Sequence, residues 1–107
     1  MSQRLRDALS LILKLIDAYD KSPNPIGTLE SLKISLFDLC SIPTETLPQG
    51  IHFTIFKLGG ILSTMLVDGT DLEIAFKSCR HQLREITVTL YNKIGGNVRD
   101  NQQYIPN

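Results

Sequence analysis

The residues of this 107-residue chain best suited to nucleophilic or metal chemistry are two cysteines, Cys40 and Cys79, and two histidines, His52 and His81. Their spacing gives little support to either. His81 lies two residues from Cys79, about 200° further round a helix, so the two do not present one face to one metal ion. His52 has no Cys or carboxylate companion nearby in sequence. A Cys–His pair assembled in space, His52 with Cys40, is a nucleophile arrangement the sequence leaves open. There is no Gly-rich phosphate loop, no G-x-S-x-G and no metal-binding helix motif. The carboxylates are scattered singly, which suggests no acid/base pair. The expectation is a protein that is not an enzyme, with no catalytic residue, no cofactor and no metal. Without a C-x-x-C or a dense cysteine framework, the two cysteines read as buried free thiols of a reducing, cytoplasmic compartment. A disulfide between two elements is the alternative.

The other concentrated chemistry is cationic. Lys77, Arg80, His81 and Arg84 fall within one broad face of a helical segment, and Thr87 and Tyr91 continue the row. Such a stripe suits phosphates or an acidic partner, and Lys77, Arg80 and Arg84 are its candidate anion or nucleic-acid contacts. Against this, eleven Lys+Arg balance eleven Asp+Glu, so no global field draws in a polyanion. No aromatic side chains interleave the stripe for base stacking. The plainer reading is a solvated face on which Glu73 pairs with Lys77 at i,i+4.

The elements that must carry these residues read as helices. At 42% hydrophobic and 21% charged, the composition is ordinary globular usage, and the length is that of one domain with one core. Leu5, Leu9, Ile12, Ile16 and Tyr19 recur at helical spacing, flanked by a second stripe of Ala8, Leu11, Leu15 and Ala18, with Leu13 adding more. So wide an apolar surface requires either a central position in the fold or another chain. Asp7, Lys14 and Asp17 interrupt this run and no cleavage site follows, so no secretory signal is expected. After the loop "KSPNPIGT", Thr28 is the predicted N-cap of a second helix with Leu29, Leu32, Leu36 and Leu39 on one face and Phe37 and Cys40 flanking. Pro43 ends it. Later, Thr70-x-x-Glu73 forms a capping box ahead of a helix with the seam Leu72, Phe76, Cys79, Leu83, Ile86 and Leu90. Gly95 and Gly96 supply its exit.

The stretch between is ambiguous. Ile51, Phe53 and Ile55 alternate with His52 and Thr54, and Gly59–Gly60 suits a hairpin turn. Yet Ile51, Ile55, Leu58, Leu62 and Met65 also follow helical spacing, and Thr46-x-x-Gln49 with Pro48 forms a capping box. Two interior glycines cost a helix about 1 kcal/mol each, an expense offset where they admit another helix closely. Ser63 and Thr64 follow four residues on, on the same two faces. Consistency with the other segments favours the helix, because a lone hairpin would need a sheet partner. The run Ile51–Val67 is short for a membrane span and carries Lys57 near its middle.

The prediction is an all-α antiparallel four-helix bundle with helices at about 3–20, 28–42, 47–67 and 71–94, the alternative being α+β with a β-hairpin at residues 51–67. Residues 1–96 form one helical domain and 97–107 a polar tail, from which Tyr104 and Ile105 could dock back onto it. Apolar surface exceeds what such a bundle hides: Leu11, Leu13, Leu15, Phe53 and Phe56 are candidate interface residues, and Phe37 also needs cover. The function expected is a non-enzymatic protein–protein interaction module, a homo-oligomeric adaptor, chaperone-like or assembly subunit that dimerises and binds another protein. The alternative is a nucleic-acid-associated accessory protein using the basic stripe.

Overall fold

A computed structural model describes residues 3–43, 47, 49–67, 69 and 71–94. They form four helices and no strand among the described residues: α1 (Gln3–Ala18, continued by a 3-10 turn at Tyr19–Lys21), α2 (Pro25–Cys40), α3 (Gln49–Met65) and α4 (Leu72–Lys93). The helices pack in a ring. α1 lies between α2 and α4, α3 closes the ring on the far side, and α2 also touches α4 across the middle. Neighbours run antiparallel: Arg4 at the start of α1 reaches Asp38 at the end of α2, and Asp17 and Asp20 at the end of α1 meet Arg84 and Arg80 of α4. The all-α bundle holds, and the hairpin does not form.

Residues 51–67 settle as helix because their 3–4 spacing puts Ile51, Ile55, Leu58, Leu62 and Met65 on a single buried face. α3 runs unbroken through Gly59 and Gly60. The expected reason for those glycines is not met inside the chain. A Cβ on Gly59 would sit 3.9 Å from Cys40 Sγ, an ordinary contact, and a Cβ on Gly60 would meet nothing within 4 Å. No helix of this chain uses the room at Gly60.

Two predicted helix starts are displaced. α2 begins three residues before the expected cap, with Pro25 in its first turn and Asn24 as N-cap, its Oδ1 accepting from the Gly27 amide at 3.0 Å. Proline's fixed φ suits the first helical position, so "NPIG" opens the helix rather than closing the loop. Gly27 gives the cap room, since a Cβ there would fall 2.5 Å from the Asn24 side chain. Thr28, expected as the cap, instead bonds the Ser22 hydroxyl at 2.7 Å. α2 ends at Cys40, with Ser41 as C-cap ahead of Pro43. α4 is capped by Asp71, which accepts from the amides of Glu73 and Ile74 at 2.9 and 3.1 Å. Thr70, like Thr46, Pro48, Gly95, Gly96, Tyr104 and Ile105, lies outside the described residues. Between α3 and α4, Gly69 takes φ +80°, which a side chain would resist.

α1 takes the central position its wide apolar surface required. Leu5, Leu9, Ile12 and Ile16 are fully buried, and so is Leu13, which the sequence placed among residues needing outside cover. Leu13 lies on the flank that carries Asp17 and Asp20, both held by α4, so α4 covers it. Ala8 and Leu15, on the opposite flank, are partly buried against the core. Leu11 lies about 40° beyond Leu15 around the helix and remains 47% exposed. On α4, Thr87 and Tyr91 are buried rather than extending a polar row. Thr87 enters the core because its hydroxyl donates to the Leu83 carbonyl at 2.7 Å, which leaves only its methyl group to pack.

These two leucines make the test of packing. Leu13→Ala should lose about 2–5 kcal/mol of stability in denaturant unfolding, because it opens a cavity. Leu11→Ala should stay within about 1 kcal/mol of the parent, as surface substitutions do.

Candidate functional site

Two surfaces gather the residues singled out above. The first joins α1 to α4. Arg80 turns its guanidinium onto Asp20, donating from Nη1 to Oδ1 at 2.8 Å and from Nη2 to Oδ2 at 2.7 Å, with a further bond from Nη2 to the Ile16 carbonyl at 3.3 Å. The same guanidinium lies over the rings of Tyr19 and Phe76, 5.7 and 5.5 Å from their centroids, and those rings touch at 4.9 Å. Tyr19 donates its hydroxyl to Glu73, and that bond, followed by burial, holds the phenol above its ordinary pKa. One turn along, Arg84 donates from Nε to Asp17 at 3.0 Å. The bidentate Arg80 pair holds the Asp20 carboxyl below its ordinary value.

Two of the three stripe residues are therefore committed within the chain. The donor forks of Arg80 and Arg84 face α1 carboxylates, whereas Lys77 is exposed. His81 pairs with Glu85 at 3.1 Å on the exposed side of α4. Glu73 takes the Tyr19 hydroxyl in addition to any approach of Lys77. The signal that finds this clasp in the sequence is register: moving three residues along α1, from Asp17 to Asp20, moves four back along α4, from Arg84 to Arg80. Carboxylates and arginines so spaced on two helices identify an antiparallel pair.

The second surface is a groove of about 420 Å³ beside α3. Cys40 of α2 forms one wall, and His52, Phe56, Gly59, Gly60 and Ser63 of α3 form the other. The structure thus brings His52 and Cys40 to one place. Burial pushes the Cys40 thiol up, so the nucleophilic thiolate is disfavoured. Cys79 is also pushed up by burial, and its thiol donates to the Ala75 carbonyl at 3.2 Å. Both cysteines are free thiols. Among the described residues, no group of three or more His, Cys, Asp or Glu is placed to hold a metal ion.

Apolar side chains are also left in solvent, Phe56 on this groove among them. Phe56 is 77% exposed and Phe53 64%, both on the outer side of α3, and Phe37 of α2 is 62% exposed. Ile34, Leu66 and Val67 are exposed as well. Of the five candidate interface residues, Leu11, Phe53 and Phe56 face solvent, Leu15 is half-buried and Leu13 is enclosed. A helical projection puts Phe53, Phe56, Gly60, Ser63 and Thr64 in one outward stripe without a charge. Lys57, the single formally charged residue of α3, stands at the margin of this stripe, its Nζ 5.4 Å from the Phe53 ring centroid. Thr64 adds little polarity, because its hydroxyl donates to the Gly60 carbonyl at 3.2 Å. The chain matches no known family, no curated protein and no solved structure with which it was compared.

The lowered Asp20 pKa fixes a sign. A carboxyl whose pKa is lower folded than unfolded contributes stability above the unfolded value and loses it as pH falls through the folded one. The difference in unfolding midpoint between the parent and Asp20→Asn should therefore stay constant near neutrality and close as the pH is taken below the ordinary 3.8. Denaturant titrations from pH 7 to pH 2 would measure it; a difference that widened on acidification would contradict the pairing.

Proposed function

We propose that this chain is a non-enzymatic protein–protein interaction module, a homo-oligomeric adaptor, chaperone-like or assembly subunit, that works by burying the outer face of α3 against another protein surface. The observation that carries this reading is the uncharged outward stripe of α3, with Phe53 and Phe56 in water on a helix whose inner face is already fully used. Apolar patches left in solvent mark protein–protein or membrane interaction sites. Aromatic side chains in such a setting are the residue type that most often anchors an interface.

A protein partner fits this face better than lipid. Helices that lie in a membrane surface carry many Lys and Arg on their polar side, and α3 has one lysine. No helix among the described residues is long and apolar enough to cross a membrane. A fluid surface also gains nothing from a notch at Gly59–Gly60, whereas a second helix does. The nucleic-acid reading has no observation in its favour, since the forks of Arg80 and Arg84 already hold carboxylates. The raised thiol of Cys40 likewise gives an enzyme reading nothing to build on.

The test is mass in solution. Sedimentation of the parent chain should give a species heavier than 12.0 kDa, and the Phe53→Ser/Phe56→Ser double variant should return to 12.0 kDa with its helical circular dichroism unchanged. Because the contact is apolar, raising the salt should not dissolve it. A parent that sediments at 12.0 kDa at every concentration would end the self-associating form of the reading.

A further inference from the structure

We infer that the partner on the α3 face is a second copy of this chain, docked antiparallel across a twofold axis so that each Phe56 enters the notch at Gly60 of the other copy. The inference rests on the interaction-module reading and adds the occupant and its register.

Three observations converge on it. The first is self-complementarity. The outward stripe of α3 carries large side chains in its first half, Phe53 and Phe56, and small ones in its second, Gly60 and Ser63. A twofold axis passing between Phe56 and Gly60 sets Phe56 opposite Gly60 of the second copy and, in the same register, Phe53 opposite Ser63. Every large residue then meets a small one, twice over, as an isologous contact requires. A parallel arrangement would set Phe against Phe and glycine against glycine, with rings colliding at one end and a void at the other.

The second is the room at the glycines. Gly60 lies mid-helix, where glycine weakens a helix, and among the described residues no other element comes within 4 Å of where its Cβ would sit. The adjoining groove of about 420 Å³ is larger than a phenyl ring needs, and it is open to solvent. Phe56 reaches from one rim of the groove, one helical turn from Gly60, so knob and hole sit side by side on one surface.

The third is area. The exposed parts of Phe37, Phe53 and Phe56 amount to on the order of 400 Å² per copy. Two copies bring about 800 Å² from these rings alone, about two thirds of the roughly 1,200 Å² at the lower end of what stable pairs bury, and the exposed Gly60, Ser63 and Thr64 of the same stripe add to it. No charged side chain of the stripe must be desolvated to achieve this.

The experiment uses the full chain and its Phe56→Ala and Gly60→Leu variants in analytical ultracentrifugation. The parent should sediment at twice 12.0 kDa. Phe56→Ala removes the knob and Gly60→Leu fills the hole, so each alone should weaken self-association at least about tenfold. An equimolar mixture should recover a dimer. The Phe56 ring of the Gly60→Leu chain still finds an open notch in the Phe56→Ala chain, and the shortened Ala faces the filled one. Gly60→Gln serves as a second hole-filling variant should leucine disturb folding, which circular dichroism would report. A parent dimer that survives Gly60→Leu and Gly60→Gln but dissociates with the Phe53→Ser/Phe56→Ser double variant would overturn this register and leave the interaction-module reading standing. A mixture that stays monomeric would also overturn the register. A parent that is monomeric throughout would overturn this inference and end the self-associating form of the reading. So would a monomer that floats with phosphatidylcholine vesicles and loses that binding with Phe56→Ala, since the face would then serve lipid.

Discussion

A helix in a ring of four can hand only part of its circumference to the shared core, and whatever it carries on the rest meets water. That geometric limit organises this molecule. α1 is apolar around more than half of its surface and satisfies the limit by standing between two neighbours, with α2 on the Ala8/Leu15 flank and α4 on the Leu13 flank. α4 satisfies it with polarity, placing Lys77, His81, Gln82 and Glu85 in water. α3 does neither. Its inner face is filled by Ile51, Ile55, Leu58, Leu62 and Met65, and its outer face offers solvent two phenyl rings and a glycine. A helix that is apolar on both sides belongs between two layers, and a single copy of this fold supplies one.

The polar contacts serve a different end. The interhelical pairs Arg4–Asp38, Arg80–Asp20 and Arg84–Asp17 all radiate from α1, and each is at least partly exposed, so their contribution lies in register and orientation more than in stability. They fix which way α1 runs against its neighbours and which turn of α4 meets which turn of α1. The Tyr19–Phe76 contact under the Arg80 guanidinium does the same with an apolar underside. α3's face, by contrast, meets the core through aliphatic side chains. The ring is thus pinned at α1 and greased at α3, and the helix opposite the pins leaves its outer face unfinished.

Much of this was legible in the residue pattern. The inward faces of all four helices follow directly from 3–4 spacing, because burying a stripe is the strongest term acting on an amphipathic helix. What periodicity could not resolve was anything decided by a neighbour. Leu13 looked surplus because the pattern of one helix does not say that α4 will cover its flank. Arg80 and Arg84 looked like free cations because their carboxylates sit 60 and 67 residues earlier in the chain. The helix starts slipped for a local reason. Asn24 and Asp71 each stand next to the residue type that drew attention, and proline's place in the first turn of α2 read as a loop breaker rather than as a helix opener. The phenylalanines of α3 were legible as excess, and remained so in three dimensions.

The glycines close the reasoning about α3. A sequence that specifies one fold has its local choices agree with its global packing, and where a local preference is violated some other interaction should recover the loss. Asn24 explains Gly27, because the cap closes over the missing side chain. The positive φ of the α3–α4 turn explains Gly69. Gly60 has no such internal account: its φ is helical, and the space beside it is vacant. Within one copy, alanine would serve that position better by about 1 kcal/mol. A position that costs the isolated chain stability, lies on its least polar helix and adjoins its most exposed ring is best understood at the level of an assembly, where closeness of backbone to an incoming side chain offsets what the monomer gives up.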